Sequence, residues 1–199
     1  YYNVDKIHTA INADSRIRFQ YFQWNVKKEM VLRHNGAWYH VSPWALVWDN
    51  ENYYLIGYDS ASRQIRHYRV DKMLKISATD QKREGRDAFS SIDIPGYSRQ
   101  LFGMYGGEET RVALEASDHM AGILIDRFGQ DIRIIPGNNG TFTAYVNVAV
   151  SPQFLGWVFS LGKDVRILGP EKVVEMMKEE GVRLLHQYQS GFVGDPLLE

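Results

Sequence analysis

The spacing of apolar residues changes along this chain, and each change marks an element. Residues 2–12, YNVDKIHTAIN, place Val4, Ile7 and Ile11 on one face at helical spacing, with Ala10 beside them. A helix this short cannot bury its stripe alone, so it is expected to pack on the next domain or to belong to a linker. From residue 17 the period falls to two: Ile17, Phe19 and Tyr21 alternate with Arg18, Gln20 and Phe22, as in a strand with one buried face. A turn over residues 25–28 leads to a short strand at 30–33. Asn35-Gly36 is a hairpin signal, and a strand returns at 38–41.

Residues 42–76 then combine an apolar, aromatic strand ending in Tyr53-Tyr54-Leu55 with a Gly57-Tyr58-Asp59 exit and a polar turn, Asp59-Ser60-Ala61-Ser62. A second strand follows, carrying Arg66, His67 and Arg69, with Lys72 just beyond it. Counted together, about five short antiparallel strands within residues 16–76 suit a small β-barrel.

Residues 77–109 are polar and Gly-rich, which predicts a linker. Its scattered Phe89, Ile92, Ile94, Leu101 and Phe102 predict that it lies against a surface, with a helical turn near 98–102. Beyond it, residues 110–116 read as a strand. Asp118 starts a helix with Ala121, Leu124, Ile125 and Phe128 on one face, stopped by Gly129. Residues 131–135 and 142–150 form a hairpin, and Ser151-Pro152 supplies a capping hydroxyl and a first-turn proline for a helix ending at Gly162. A last strand at 165–168 completes the order strand, helix, strand, strand, helix, strand, the ferredoxin-like unit. Gly169-Pro170 opens a long helix with Val173, Met177, Leu184 and Tyr188 on its apolar face, and the tail 190–199 is expected to fray. The fold class predicted is therefore α+β: a small β-barrel followed by a ferredoxin-like α+β domain.

Composition narrows the partners. The chain has 199 residues, 44% apolar and 24% charged, with a formal net charge of −1, so any site for a polyanion is a local patch and not the whole surface. Cysteine is absent, which excludes disulfides and thiolate metal sites. No apolar run reaches the length of a membrane span or carries the flank of a signal peptide, so no membrane partner and a cytoplasmic location are expected.

Catalytic chemistry has little support. The six histidines, His8, His34, His40, His67, His119 and His186, are scattered singly, with no His-Glu-x-x-His or His-x-His pair. No Gly-x-Ser-x-Gly, Walker loop or Gly-x-Gly-x-x-Gly occurs, and Gly106-Gly107 lacks the strand-to-helix frame of a phosphate loop. No enzyme activity and no cofactor are expected.

Binding chemistry is better represented. On the strand at 65–70, Arg66, Tyr68 and Val70 share one face while Ile65, His67 and Arg69 share the other. With Lys72 and the aromatics Tyr21, Tyr54 and Tyr58, and Ser42 at the head of the same stretch, they form the candidate ligand site. Guanidinium groups hold phosphates and aromatic planes stack bases. The plainer reading is that Arg66 and Arg69 pair with Asp59, Asp71 or Glu51 at the barrel rim. Trp44, Trp48 and Trp157 read as core or interface packing, and Lys82, Arg83 and Arg86 as a solvated charged loop.

Pro43, Tyr53-Tyr54-Leu55, Gly57, Asp59, Arg66, Tyr68, Arg69 and Asp71 together resemble the WYL domain found in bacterial transcriptional regulators. Tyr53 stands at the naming Trp, and Lys72 replaces an Arg, keeping charge but losing the planar fork. The resemblance implies an SH3-like or Sm-like barrel over 12–78, after a linker helix at 1–11. It also implies a linker at 79–109, a ferredoxin-like C-terminal extension at 110–189 and a tail at 190–199. The function it implies is sensing of an anionic nucleotide-like or single-stranded nucleic acid effector. The partners expected with it are promoter DNA, through a helix-turn-helix domain outside these residues, and a second copy of the chain in a homodimer. The alternative is a protein-interaction or dimerisation module with no small ligand.

Overall fold

The structure is a computed structural model and describes residues 2–90, 92–101, 104 and 108–189. It is a mixed α/β fold with antiparallel sheets, divided into two compact units at residues 98 and 99.

In the first unit, helix α1 (Tyr2–Asn12) precedes strands β1 (Ser15–Trp24), β2 (Met30–Leu32), β3 (Tyr39–Asp49), β4 (Asn52–Asp59), β5 (Gln64–Arg69) and β6 (Met73–Lys82). They form one antiparallel sheet in the order β2-β1-β3-β4-β5, with β6 on β1, which curls into a half-barrel. Register shifts at residues 15–17 and 18–20 of β1 against β6, and at 43–45 of β3 against β4, provide the bending that curvature requires. Ile7 and Ala10 of α1 are fully buried against Ile17, Phe19, Val41, Leu55, Tyr68, Val70, Met73 and Ile76. Asn3 Nδ2 ties the helix to the sheet by donating to the carbonyls of Val70 (3.1 Å) and Met73 (2.9 Å). Gly57 is required where β4 passes β3, since a Cβ there would sit 2.4 Å from Val41 Cγ1.

Several local expectations change here. Asn35-Gly36 makes no hairpin between paired strands. The strand before it pairs with β1, and residues 33–36 form a 3-10 turn with His34 (φ 49°) and Asn35 (φ 54°) left-handed. The alternation along β1 breaks because this turn covers its second face. Gln20 is buried, donating to Gly36 O at 2.7 Å, and Phe22 is buried as well. Trp48 is 60% exposed and meets Tyr53 edge-on, while Trp44 stacks on Phe89 at 5.2 Å. Within the segment read as a linker, β6 continues to Lys82, and helices α2 (Arg86–Ser90) and α3 (Ile94–Gln100) follow. Arg83 is engaged, donating to Asp14 Oδ1 (2.9 Å) and Pro43 O (3.0 Å) with its guanidinium over Trp44.

The second unit runs β7 (Glu109–Ser117), α4 (Ala121–Phe128), β8 (Arg133–Pro136), β9 (Thr141–Ala149), α5 (Pro152–Ser160), β10 (Val165–Gly169) and α6 (Glu171–Gln189). Its antiparallel sheet has the order β10-β7-β9-β8. One face carries Val112, Leu114, Ala116, Phe142, Ala144 and Val146 into a core shared with Leu124, Phe154, Leu155, Val158 and Val173. The Ser151 hydroxyl accepts from Phe154 N at 3.2 Å, capping α5, and Gly129 ends α4 at φ 98°. Tyr188, expected on the buried stripe of α6, is 68% exposed. The tail 190–199 and Gly106-Gly107 lie outside the described residues.

Candidate ligand site

Strand alternation distributes the cations of residues 66–72 over separate surfaces. In the β4–β5 pair, Tyr54 faces Arg69, Leu55 faces Tyr68, Ile56 faces His67 and Gly57 faces Arg66. Partners opposite one another share a face. Leu55 and Tyr68 belong to the barrel core, so Arg66, two residues before Tyr68, stands on the concave side, while His67 and Arg69 stand on the convex side.

On the concave side the half-barrel has a cavity of about 290 Å³, lined by Tyr21, Arg33, His34, Tyr39, Asp59, Arg66, His67 and Tyr68. Its floor is aromatic. Tyr39 stacks on Phe19 at 5.3 Å, and Tyr68 meets Phe19, Tyr21 and Tyr39 edge-on at 5.2, 5.9 and 6.0 Å. Such rings hold one another in fixed orientations, which preorganises the floor. The Tyr21 hydroxyl accepts from the Arg69 backbone N–H at 3.0 Å, fixing the end of edge strand β5 to β1.

The rim is cationic. Arg33 lies with its guanidinium 5.8 Å from the Tyr21 ring centre, and Arg66 is exposed. Among the described residues, neither has a carboxylate within ion-pair distance. Asp59 also lines the cavity, but its carboxylate is held in the turn, accepting from Ala61 N (3.0 Å) and Ser62 Oγ (2.8 Å). Burial pushes the Tyr39 and Tyr68 hydroxyls above the usual tyrosine range, and burial does the same to Tyr21 against the Arg69 N–H bond. All three are therefore neutral donors near pH 7. The Tyr39 hydroxyl is shielded from solvent and has no hydrogen-bond partner among the described residues. A buried donor left unmade costs about 1–3 kcal/mol, which a ligand acceptor at this point would recover.

Of the candidate residues, Tyr21 and Arg66 come together around this cavity, and His67 borders it from β5 while its ring turns to the convex side. The others are placed elsewhere. Ser42 is fully buried, its hydroxyl accepting from Glu84 N at 2.9 Å. Tyr58 is packed against Gly85, where a Cβ would fall 2.3 Å from its ring. Tyr54 is opposite Arg69 on the convex face. Arg69 is engaged by Asp71 through two hydrogen bonds (3.0 and 2.8 Å) and by Asn52 (2.7 Å). Lys72 lies 5.0 Å from the centre of the Phe22 ring and 3.8 Å from Asp71. His67 Nε2 sits 3.1 Å from the Tyr97 hydroxyl. Arg33, His34 and Tyr39 were missed because their segment reads as a plain hairpin. The available signal was a cluster of Arg, His and Tyr flanking Asn35-Gly36.

Solved structures similar to this chain include the following two. Proteasome accessory factor B/C of Arthrobacter aurescens is 21% identical, covering 94% of this chain and 27% of its own, with a TM-score of 0.38. A CRISPR Cas-related protein is 17% identical, covering 94% of this chain and 52% of its own, with a TM-score of 0.50. The chain thus spans about a quarter of the first and about half of the second. No curated protein matches it. The WYL domain family matches residues 2–78 and the WCX domain family residues 108–185. On these matches, which enclose the aromatic cavity in the first segment and the four-stranded sheet in the second, the chain is a WYL domain followed by a WCX domain.

Proposed function

We propose that this chain is the sensing part of a bacterial transcription regulator. It binds an anionic, nucleotide-like or single-stranded nucleic acid effector in the tyrosine-lined mouth of the half-barrel and controls a DNA-binding domain outside these residues. The observation that carries the reading is the pair Arg33 and Arg66, exposed and, among the described residues, without carboxylate partners, beside a cavity with an aromatic floor and a Tyr39 hydroxyl that no described residue satisfies. Guanidinium forks suit phosphate oxygens, and tyrosine rings and hydroxyls suit a base or sugar. Arg69, held by Asp71 and Asn52 on the convex side, is not the main anion contact.

In this reading the protein is not an enzyme, the first unit is an Sm/SH3-like barrel and the second a ferredoxin-like domain. The strand order β10-β7-β9-β8 within a β-α-β-β-α-β chain supports the latter assignment. A dimerisation role is favoured by one further feature: Val182, Leu185 and Tyr188 are 53, 61 and 68% exposed along α6.

The test is a fluorescence-anisotropy titration of labelled short single-stranded DNA, with a panel of nucleotides as competitors, on the wild type and on Arg33→Ala and Arg66→Ala. Each substitution should weaken binding roughly tenfold to a hundredfold, the equivalent of a charge-assisted contact of about 1.5–3 kcal/mol. Equal binding by all three proteins, or binding by none, overturns the assignment of the site.

A further inference from the structure

The open face of the second unit's sheet carries a second cationic constellation. Tyr145 on β9 lies between Ala113 of β7 and Arg133 of β8 in register, with Arg111 on the same face of β7 two residues before Ala113. The guanidinium of Arg111 is 5.2 Å and that of Arg133 is 5.5 Å from the Tyr145 ring centre. Because β7 and β8 flank β9, the two cations approach the ring from opposite sides. They border a hollow of about 350 Å³ that Gly169 and Pro170, just before α6, close on one side. The start of a long helix carries partial positive charge, which adds to the cationic character of this wall.

Two carboxylates share this face of β7 with Arg111, and Glu109 accepts from Gln100 Nε2 at 3.3 Å. Glu115, the carboxylate two positions beyond Ala113, is occupied by Arg166 at 2.6 Å. Among the described residues, Arg111 and Arg133 have neither a hydrogen-bond nor an ion-pair partner. Two like charges held against one ring, neither in an ion pair among the described residues, repel each other. An anion between them removes that repulsion and accepts from both forks. The ring flanked by guanidiniums is not a free stacking plane, so recognition falls on phosphate and not on base.

We propose that Arg111, Arg133 and Tyr145 form a phosphate-binding site on the open face of the WCX sheet, separate from the half-barrel cavity. Its ligand is a nucleic acid backbone or the phosphates of a free nucleotide, held without base selectivity.

The test uses the full chain carrying Arg33→Ala and Arg66→Ala, so that the result does not depend on the half-barrel site. A labelled twelve-residue oligothymidylate is titrated at low and at physiological salt, with pyrophosphate and an oligoglutamate peptide as competitors. Further replacement by Arg111→Ala and Arg133→Ala should weaken the remaining binding about tenfold or more, while Arg111→Lys with Arg133→Lys restores part of it. Competition by pyrophosphate at concentrations equal to those of oligonucleotide phosphate assigns the site to free phosphates, and weaker competition assigns it to the backbone. Because both arginines are exposed, the variants should melt as the parent does. Binding unchanged by the arginine replacements, no residual binding in the parent, or an oligoglutamate that competes as well as the oligonucleotide overturns the proposal.

Discussion

Arg69→Ala removes a guanidinium that donates two hydrogen bonds to Asp71, at 3.0 and 2.8 Å, and one to Asn52 at 2.7 Å. The side chains of Arg69 and Asp71 are 38 and 48% exposed, so solvent screens the pair and its coupling is that of a surface ion pair, about 0.2–1 kcal/mol. The bond to Asn52 brings the expected total loss to about 1–2 kcal/mol. Asp71 supplies a sign check through pH. Burial works to raise its pKa, but the hydrogen bond and charge of Arg69, with Lys72, outweigh burial and hold it below the usual carboxylate value. A depressed folded-state value contributes stability that is complete above the unfolded value of about 3.9 and is lost as pH falls through the folded value. Urea unfolding of wild type and Arg69→Ala between pH 7 and pH 3 should therefore show a stability gap that is constant down to about pH 5 and narrows below about pH 4. Effector affinity at pH 7 should change little. A gap that persists unchanged at pH 3, or an Arg69→Ala variant that loses effector binding at wild-type stability, refutes this structural role.

Other outcomes follow from packing. Leu55→Ala, at a fully buried core position, should cost about 2–5 kcal/mol in urea unfolding, with Tyr54→Ala on the opposite face costing less. Gly57→Ala should destabilise by about 1–3 kcal/mol because the new methyl meets Val41 Cγ1 at 2.4 Å and the Ser42 carbonyl at 3.1 Å on β3, read as a drop in melting temperature. Ser151→Ala removes the cap on α5 and should cost about 1 kcal/mol, with Ser151→Thr recovering most of it.

The legible parts of the sequence were those where one physical signal acts alone. The stripe Val4, Ile7, Ile11 gave α1, and Ser151-Pro152 gave the start of α5, because helix period and cap chemistry are local. Pairing was less legible. Asn35-Gly36 favours left-handed backbone and receives it, but the partner of the preceding strand was decided by the turn at residues 25–28, which returns β2 onto β1. The candidate site suffered from the same cause. Alternation placed Arg66 and Arg69 on opposite faces, yet which face becomes the cavity depends on curvature brought about by the bulges in β1 and β3. Tyr39 and Arg33 join Tyr68 and Arg66 only through that curvature, at separations of about thirty residues along the chain that no local pattern reports.

The central claim is that Arg33 and Arg66 contact phosphate in the half-barrel mouth. The slope of log affinity against log salt for a short single-stranded DNA tests it most directly, measured in the Arg111→Ala, Arg133→Ala background so that the sheet site is silent. Each phosphate contact contributes about −0.7 to that slope for a single strand. Replacing Arg33 and Arg66 together should flatten it by about 1.4 units, whereas Arg69→Ala should leave it as it is. A slope that does not change on losing Arg33 and Arg66, or that flattens equally on losing Arg69, contradicts the account.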